Sequence, residues 1–529
     1  MDTAGGKGRN GGPRRESLGS ALAQIGVVAA LLAGGVTYGV HRGQVRQETE
    51  THLRMARAAA QRDNPADLAV AMQQLDALFA LNADMRDAQA LAADVQAELW
   101  LEHRQPGADA RAREHLERAE ALGARSGERY GARAQLLLAE GKTAEAERLL
   151  EELRTQGANS PRLTLAQARV LQLKGDLAGA RQAYARAADA SWKDPRFATA
   201  YGEALLDEGQ YTQAVEAFSR ATTANPDHLL SRVTAALARL YAGQPRESAE
   251  PTLADVRGRG RELTPTLQAR AEALQAELAL AKGAMEEALG AADQAIRARA
   301  DERFALFTRA RVLAARKSPE ARAAFEAAVA ARRTAPLPYV EGARALQSAG
   351  DGAGALALLD AYATTFKDVK VTLADGKPVA ALSRDDRYWL ARGGVLEAAG
   401  KQDDALAAYE QALAVRGVGM ARAQYAKGAL LLARKDYAGA RPLLAAVAPE
   451  TGAGTLPAAY AAMGDLLFAQ GDFAAGCQHH YFGLVRARAQ GTPRAQLASR
   501  IEAVRQRLEA AGQANMAKAW VTQTAATLQ

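Results

Sequence analysis

From Tyr201 to Asp227 the chain reads YGEALLDEGQYTQAVEAFSRATTANPD, and its apolar positions fall into two stripes separated at Gly209. Residues three and four apart share one face of an α-helix, so each stripe predicts an amphipathic helix. Small residues (Gly202, Ala214, Ala221) are interleaved with bulky ones (Leu205, Tyr211, Phe218). Facing small residues let two antiparallel helices approach closely, and a ring such as Phe218 fills the space beside them. Gly209 can enter the left-handed conformation that ends the first helix, A. Pro226 cannot continue the second, B.

The same pattern recurs every 34 residues. Gly209 steps back to Gly175, Gly141 and Gly107 and forward to Gly243. Behind the first four glycines follow Ala112, Ala146, Ala180 and Ala214, then Leu116, Leu150, Tyr184 and Phe218, then Ala119, Leu153, Ala187 and Ala221. This resembles the tetratricopeptide repeat, a helix–turn–helix unit of about 34 residues. The family's small helix A residue matches Ala134, Ala168 and Gly202, its turn glycine Gly141, Gly175 and Gly209, and its small helix B residue Ala146, Ala180 and Ala214. Later copies carry Gly283, Ala288 and Ala292; Ala321, Phe325 and Ala328; Gly350, Ala355 and Leu359; Trp389, Gly393, Gly400, Ala405 and Tyr409; Gly428, Tyr437, Ala440 and Leu444; Tyr460, Gly464, Gly471 and Phe473. A weaker, earlier pair surrounds Ala71, Leu75 and Leu78. About eleven or twelve units are expected between roughly residues 60 and 490. The Gly243 copy holds Ser248 and Thr252 where alanine and a large residue are expected, which predicts an irregular second helix. The resemblance implies an all-α, superhelical solenoid of antiparallel helix pairs whose A helices line a concave groove for proteins or peptides.

The N-terminus departs from the repeat. Leu18 to Val40 contains no charged residue and is long enough to cross a bilayer. No small-residue cleavage site follows it, so an uncleaved anchor is expected rather than a signal peptide. Gly26, Ala30 and Gly34 form a small-residue face on which two copies could pair. The expected organisation is a glycine-rich basic tail over 1–17, the span over 18–40, a juxtamembrane helix over 41–64, the array over 65–490 and capping helices over 491–529. Thr492-Pro493 reads as a helix start, Leu497, Ile501, Val504 and Leu508 form one apolar stripe, and Gly512 ends it. Lys7, Arg9, Arg14 and Arg15 before the span balance Arg42, Arg46, Arg54 and Arg57 after it. The pair nearest the membrane, with the short tail, favours a cytoplasmic tail and a periplasmic array on a bacterial inner membrane.

Composition sharpens this picture at few points. Of 529 residues 48% are hydrophobic but only 5% aromatic, which suits helices rich in Ala and Leu. The single cysteine, Cys477, excludes an internal disulfide. A net charge of +7 from 67 basic and 60 acidic residues is no argument for a nucleic-acid partner. AEGKT at 139–143 lacks the first glycine of a phosphate-binding loop, since residue 136 is leucine. Cys477, His479 and His480 lie together, but a structural zinc site wants four ligands, and His480 falls in the column of Phe218 and Tyr409. No catalytic constellation, metal or cofactor is expected. VKVTLADGKPVAAL places Val369, Val371 and Leu373 on one face before Asp375-Gly376, as in a short β-hairpin. RGRGREL (257–263) and APETGAGTLP read as loops. Arginine recurs at the second position of several copies: Arg162, Arg196, Arg387 and Arg422. In the family this position can face a bound peptide, so the row either pairs with an acidic ligand in the groove or consists of arginines solvated at their helix starts. The family's carboxylate clamp also needs an asparagine seven positions on, where this chain has Arg169, Glu203, Gly394 and Ala429. The expectation is therefore a membrane-anchored scaffold for protein or peptide partners, or a regulatory subunit of an envelope-biogenesis or secretion complex, and not an enzyme.

Overall fold

A computed structural model describes residues 18–260, 263–372 and 377–528. Among them, 26 α-helices pair into thirteen antiparallel hairpins. The first five hairpins are α1 (Leu18–Ala60) with α2 (Pro65–Leu81), α3 (Arg86–Leu101) with α4 (Ala108–Ala121), α5 (Gly127–Ala139) with α6 (Thr143–Thr155), α7 (Pro161–Leu173) with α8 (Leu177–Ala190), and α9 (Pro195–Asp207) with α10 (Tyr211–Ala224). The next five are α11 (Leu229–Tyr241) with α12 (Glu250–Gly258), α13 (Pro265–Ala281) with α14 (Met285–Ala298), α15 (Arg303–Ala315) with α16 (Ala321–Ala331), α17 (Pro336–Ala349) with α18 (Gly352–Phe366), and α19 (Asp386–Ala398) with α20 (Gln402–Val415). The last three are α21 (Met420–Ala433) with α22 (Tyr437–Val447), α23 (Pro457–Ala469) with α24 (Phe473–Ala489), and α25 (Arg494–Ala510) with α26 (Ala514–Leu528). The fold is an all-α, tetratricopeptide-like superhelical solenoid with a long apolar helix at its N-terminal end.

The columns of the sequence are the contacts of the hairpins. A Cβ added at Gly202 would stand 2.6 Å from the Phe218 ring; at Gly393, 2.4 Å from Tyr409; at Gly464, 2.6 Å from His480. Each of these three hairpins thus seats one bulky helix B side chain on one bare helix A backbone. Gly209 turns the chain at φ +71°, a left-handed conformation that glycine adopts without a Cβ penalty. The Gly243 copy is irregular as expected. A 3₁₀ turn at Arg246–Ser248 delays its second helix, and the buried residues become Ala249, Leu253 and Val256, one position later than the repeat dictates.

The hairpin stack begins earlier in the chain than the repeat pattern. Residues 49–60 of α1 bury Thr49, Leu53, Ala56 and Ala60 against α2. The segment after the apolar stretch is therefore helix A of the first hairpin, continuous with that stretch. At the other end Leu497, Ile501, Val504 and Leu508 are buried with Phe468 and Trp520, so α25 and α26 cover the last repeat. The helix starts at Arg494 with Pro493 in the cap position, one residue later than the Thr-Pro signal read as a cap. Strands β1 (Lys370–Thr372) and β2 (Pro378–Ala380) pair antiparallel, Val371 opposite Val379, and link α18 to α19; Leu373 and the Asp375-Gly376 turn lie outside the described residues, as does the tail 1–17.

The superhelix closes on itself. The A-to-B turns of hairpins one, two, four and five meet residues at or near the B-to-A links about five hairpins later. Asn225 Nδ2 donates to the Arg62 carbonyl (2.7 Å), and Leu229 N donates to Asn64 Oδ1 (3.0 Å). Thr266 Oγ1 and Arg299 Nη1 both donate to the Glu102 carbonyl. Arg104 pairs with Asp301 at 2.9 Å. Phe366 and Val369 sit against Gly175, and Leu337 and Arg387 against Gly209.

Two glycines test the hairpin packing with opposite signs. Gly202→Ala should destabilise the protein, because overpacking of this kind costs roughly 1–3 kcal/mol and outweighs the helix propensity gained. Gly290→Ala, on the exposed face of α14 with no atom within 4 Å of the new methyl, should stabilise by up to about 1 kcal/mol. Equal melting shifts for the two variants would contradict the packing.

Candidate functional site

The inner face carries two regions of different chemistry: a charged bore within the closed turns and an open groove beyond them. The bore is built from A helices. Arg196, at the start of α9, is 3% exposed and lies among Asp94 (3.1 Å), Asp63 (3.5 Å), Glu98 (3.9 Å) and Asp194 (3.9 Å). It also donates to the Ala60 carbonyl at 3.4 Å. Arg162 Nε holds the same Asp94 carboxylate at 2.9 Å. Further along, Arg270 joins Glu203 and Glu302, Arg303 joins Glu203 (2.6 Å) and Asp207 (2.9 Å), and Arg332 reaches Asp207 at 2.7 Å. Arg169 pairs with Glu102 at 2.6 Å.

The protonation of this bore follows from burial and from how many guanidinium groups each acid meets. Burial pushes Asp94 up, but Arg162 and Arg196 more than offset it, and its carboxyl lies below the ordinary range. Burial likewise raises Glu203, and Arg270 and Arg303 bring it well below. Asp63 and Glu98 share only Arg196; burial dominates and holds both well above the usual carboxylate range. His228 Nε2 stands 3.4 Å from Asp63 Oδ2, an ion pair only if the imidazole is charged. Burial instead lowers His228 to about 4 and His103 to about 3. Burial therefore disfavours the charged form of both partners in this contact. His228 Nδ1 is satisfied by Ser231 Oγ at 2.7 Å and its Nε2 by the Asp63 carbonyl at 3.2 Å.

The four arginines expected in one row thus take separate places. Arg162 and Arg196 converge on Asp94 inside the molecule. Arg387 is half-buried between superhelical turns, 4.0 Å from Glu208, with Asp385 raising its pKa further. Arg422 is exposed and makes no ion pair among the described residues. It borders a groove of about 470 Å³ lined by Arg344, Leu390, Tyr409, Tyr425, Ala426, Leu456, Pro457 and Ala458. The groove runs across α17, α19, α21 and α23, beyond the hairpins that the next turn covers. Arg344 is held by Glu341 at 2.6 Å, and Tyr409 donates to Glu397 at 2.6 Å, so Arg422 is the groove's uncommitted cation among the described residues. The loop arginines are engaged as well: Arg257 lies 3.6 Å from Glu272 and Arg259 3.0 Å from Asp227, while Arg261 falls outside the described residues.

His480 packs as a helix B residue, with Nε2 3.2 Å from Asp465 and its ring against Phe468 and Trp520. His479 Nδ1 contacts the Ala475 carbonyl at 2.9 Å, and burial raises the half-buried Cys477 thiol to about 11. Gly26, Ala30 and Gly34 lie exposed on α1. Sequence reasoning missed the acidic half of the bore. Its signal was present in Asp94, Glu98, Glu203, Asp207 and Glu302, acids on or capping helix A stripes that are otherwise apolar.

No family model matches the chain, and no curated protein matches it. Among solved structures, human IFIT1 with PPP-AAAA is similar at 16% identity and a TM-score of 0.41, covering 76% of this chain and 94% of that one. The APC/C hetero-tetramer Cut9–Hcn1 is similar at 12% identity and a TM-score of 0.39, covering 86% and 96%. Likeness of this degree says nothing about what this chain binds.

Two measurements test the bore. Arg196→Ala should cost about 3–5 kcal/mol in denaturant unfolding, because it strands buried carboxylates. Arg162→Ala should cost less, since Asp94 keeps Arg196. The pH dependence isolates His228. Its folded value of about 4 lies below the ordinary value, so the unfolded chain takes up the proton first. That contribution is complete above about pH 6.5 and is lost as pH falls toward 4. The stability difference between wild type and His228→Asn should therefore shrink across that window, and a difference independent of pH would contradict a buried neutral imidazole.

Proposed function

We propose that this protein is a membrane-anchored scaffold that holds a protein or peptide partner in the open groove of its later hairpins. The observation that carries the reading is α1. Its uncharged stretch has mean hydropathy 1.6, none of it buried in the fold, and it continues without a break into the first hairpin. An exposed apolar helix of that length suits a bilayer. A rigid array fused to it suits the positioning of other proteins beside the membrane.

The groove supports partner binding because it joins apolar walls to one unpaired guanidinium, the combination that fixes a short apolar segment bearing a carboxylate. Of the arginine row, Arg422 carries this proposal; the other three already have acids within the chain. A bacterial inner membrane, with the array in the periplasm, is the setting the charges around the span favour. A regulatory subunit of an envelope-biogenesis or secretion complex would use the same groove.

Photoreactive residues at Ala426 and Ala458 should capture the same partner in native membranes, and one at Gly290, on the outer face, should not. Arg422→Glu should reduce that capture severalfold with helicity unchanged. Capture equal from all three positions would overturn the groove. For orientation, a periplasm-active reporter after Gln529 should be active and a cytoplasm-active one silent; the reverse result would place the array in the cytoplasm.

A further inference from the structure

The register of the first hairpin fixes how high the array stands above the bilayer. His52 Nδ1 meets Gln74 Oε1 at 2.8 Å across α1 and α2. The turn joining these antiparallel helices, with α2 starting at Pro65 and α1 ending at Ala60, gives the same alignment. Counting seven residues on from Gln74 and seven back from His52 brings Leu81, the last residue of α2, level with Val45. Burial agrees: residues 41–44 are exposed, Val45 is the first half-buried residue and Thr49 the first buried one. Val45 lies five residues past Val40, so Leu81 stands only about 7–8 Å beyond the end of the uncharged stretch along α1. The polar headgroup layer is itself roughly 5–8 Å deep on each side of the hydrocarbon core. A helix tilt of about 20° toward or away from α2, whose axis lies roughly 8–10 Å to the side, changes that height by about 3 Å.

What lies at this level suits an interface. Leu81 is 38% exposed, an apolar side chain turned to solvent at the end of a helix whose other leucines are buried. Asn82, Ala83 and Asp84 are exposed beside it, and Arg42, on α1 at the same edge, makes no ion pair among the described residues. We infer that the α2–α3 turn, Leu81 to Met85, rests in the phospholipid headgroup layer of the bilayer that α1 crosses. The array then lies against the membrane at its first hairpin, with no stalk between them. Leu81 packs among the lipid headgroups, and Arg42, two residues past Val40, meets lipid phosphate. From this foot the superhelix climbs away, because the next turn stacks on the ends of α1 and α3 that point away from the span.

The inference rests on the membrane reading of α1, and one experiment separates the two. The full chain, carrying Cys477→Ser and one labelled cysteine, is reconstituted in phosphatidylcholine–phosphatidylglycerol vesicles. A fluorophore at Leu32→Cys should be quenched by a nitroxide on the acyl chain. One at Ala83→Cys should be quenched by a headgroup nitroxide at least threefold more than one at Gln244→Cys, in the second superhelical turn. Quenching at 32 with no difference between 83 and 244 would overturn the foot and leave the anchor standing. No quenching at 32 would overturn both.

Discussion

A guanidinium sealed from water must be matched by carboxylates, and Arg196 is where this structure meets that requirement. Its neighbours come from the α1–α2 turn (Asp63), α3 (Asp94, Glu98) and the cap of its own helix (Asp194). Residues from hairpins one, two and five therefore have to be in place together. Removing charges from water is costly and attraction inside repays it only with good geometry, so such a cluster is a poor source of net stability. Its effect is on which arrangement is allowed: a different superhelical pitch would separate Arg196 from Asp63 and leave each without a partner.

The same constraint organises the rest of the bore. Glu203 and Asp207 on α9 take Arg270, Arg303 and Arg332 from hairpins seven and eight, so the charges alternate between the early and the later hairpins. Where acids outnumber guanidinium groups, as at Asp63 and Glu98, burial outweighs the attraction and raises the carboxyl pKa. With aromatic residues at only 5% of the chain, close-packed Ala and Leu hold each hairpin together, while charge, hydrogen bonds and apolar contacts such as Phe366 on Gly175 hold the turns together.

This division explains what was legible in the sequence. Contacts within a hairpin, such as Gly202 with Phe218 or Gly464 with His480, span 16 residues and repeat, so the period exposes them. The capping stripe Leu497–Leu508 and the strands around Val371 were legible for the same local reason. Contacts between superhelical turns span five hairpins and do not repeat: Asn225 with Arg62 is separated by 163 residues. The arginine row was visible in the sequence. Its acids were not, because nothing local says that Arg162 and Arg196 meet on one Asp94. The sign change between Arg169 and Glu203, one repeat apart in the same column, was the available hint that the groove pairs with itself; the two residues take Glu102 and Arg303.

Closure also decides where a partner can enter. The concave face of a solenoid is available to ligand only while no later turn covers it. Hairpins one to five are covered by six to ten, whereas α21 and α23 pack on α19 and on each other, at the end of the array where the coil is no longer stacked upon. The open groove and the uncommitted Arg422 therefore occur together for one geometric reason. The closed turns below them are joined without a break to the long apolar helix α1, which places the open end far along the coil from that helix. A ligand seated there would be held by a rigid body whose pitch is set at Arg196 and the turns around it.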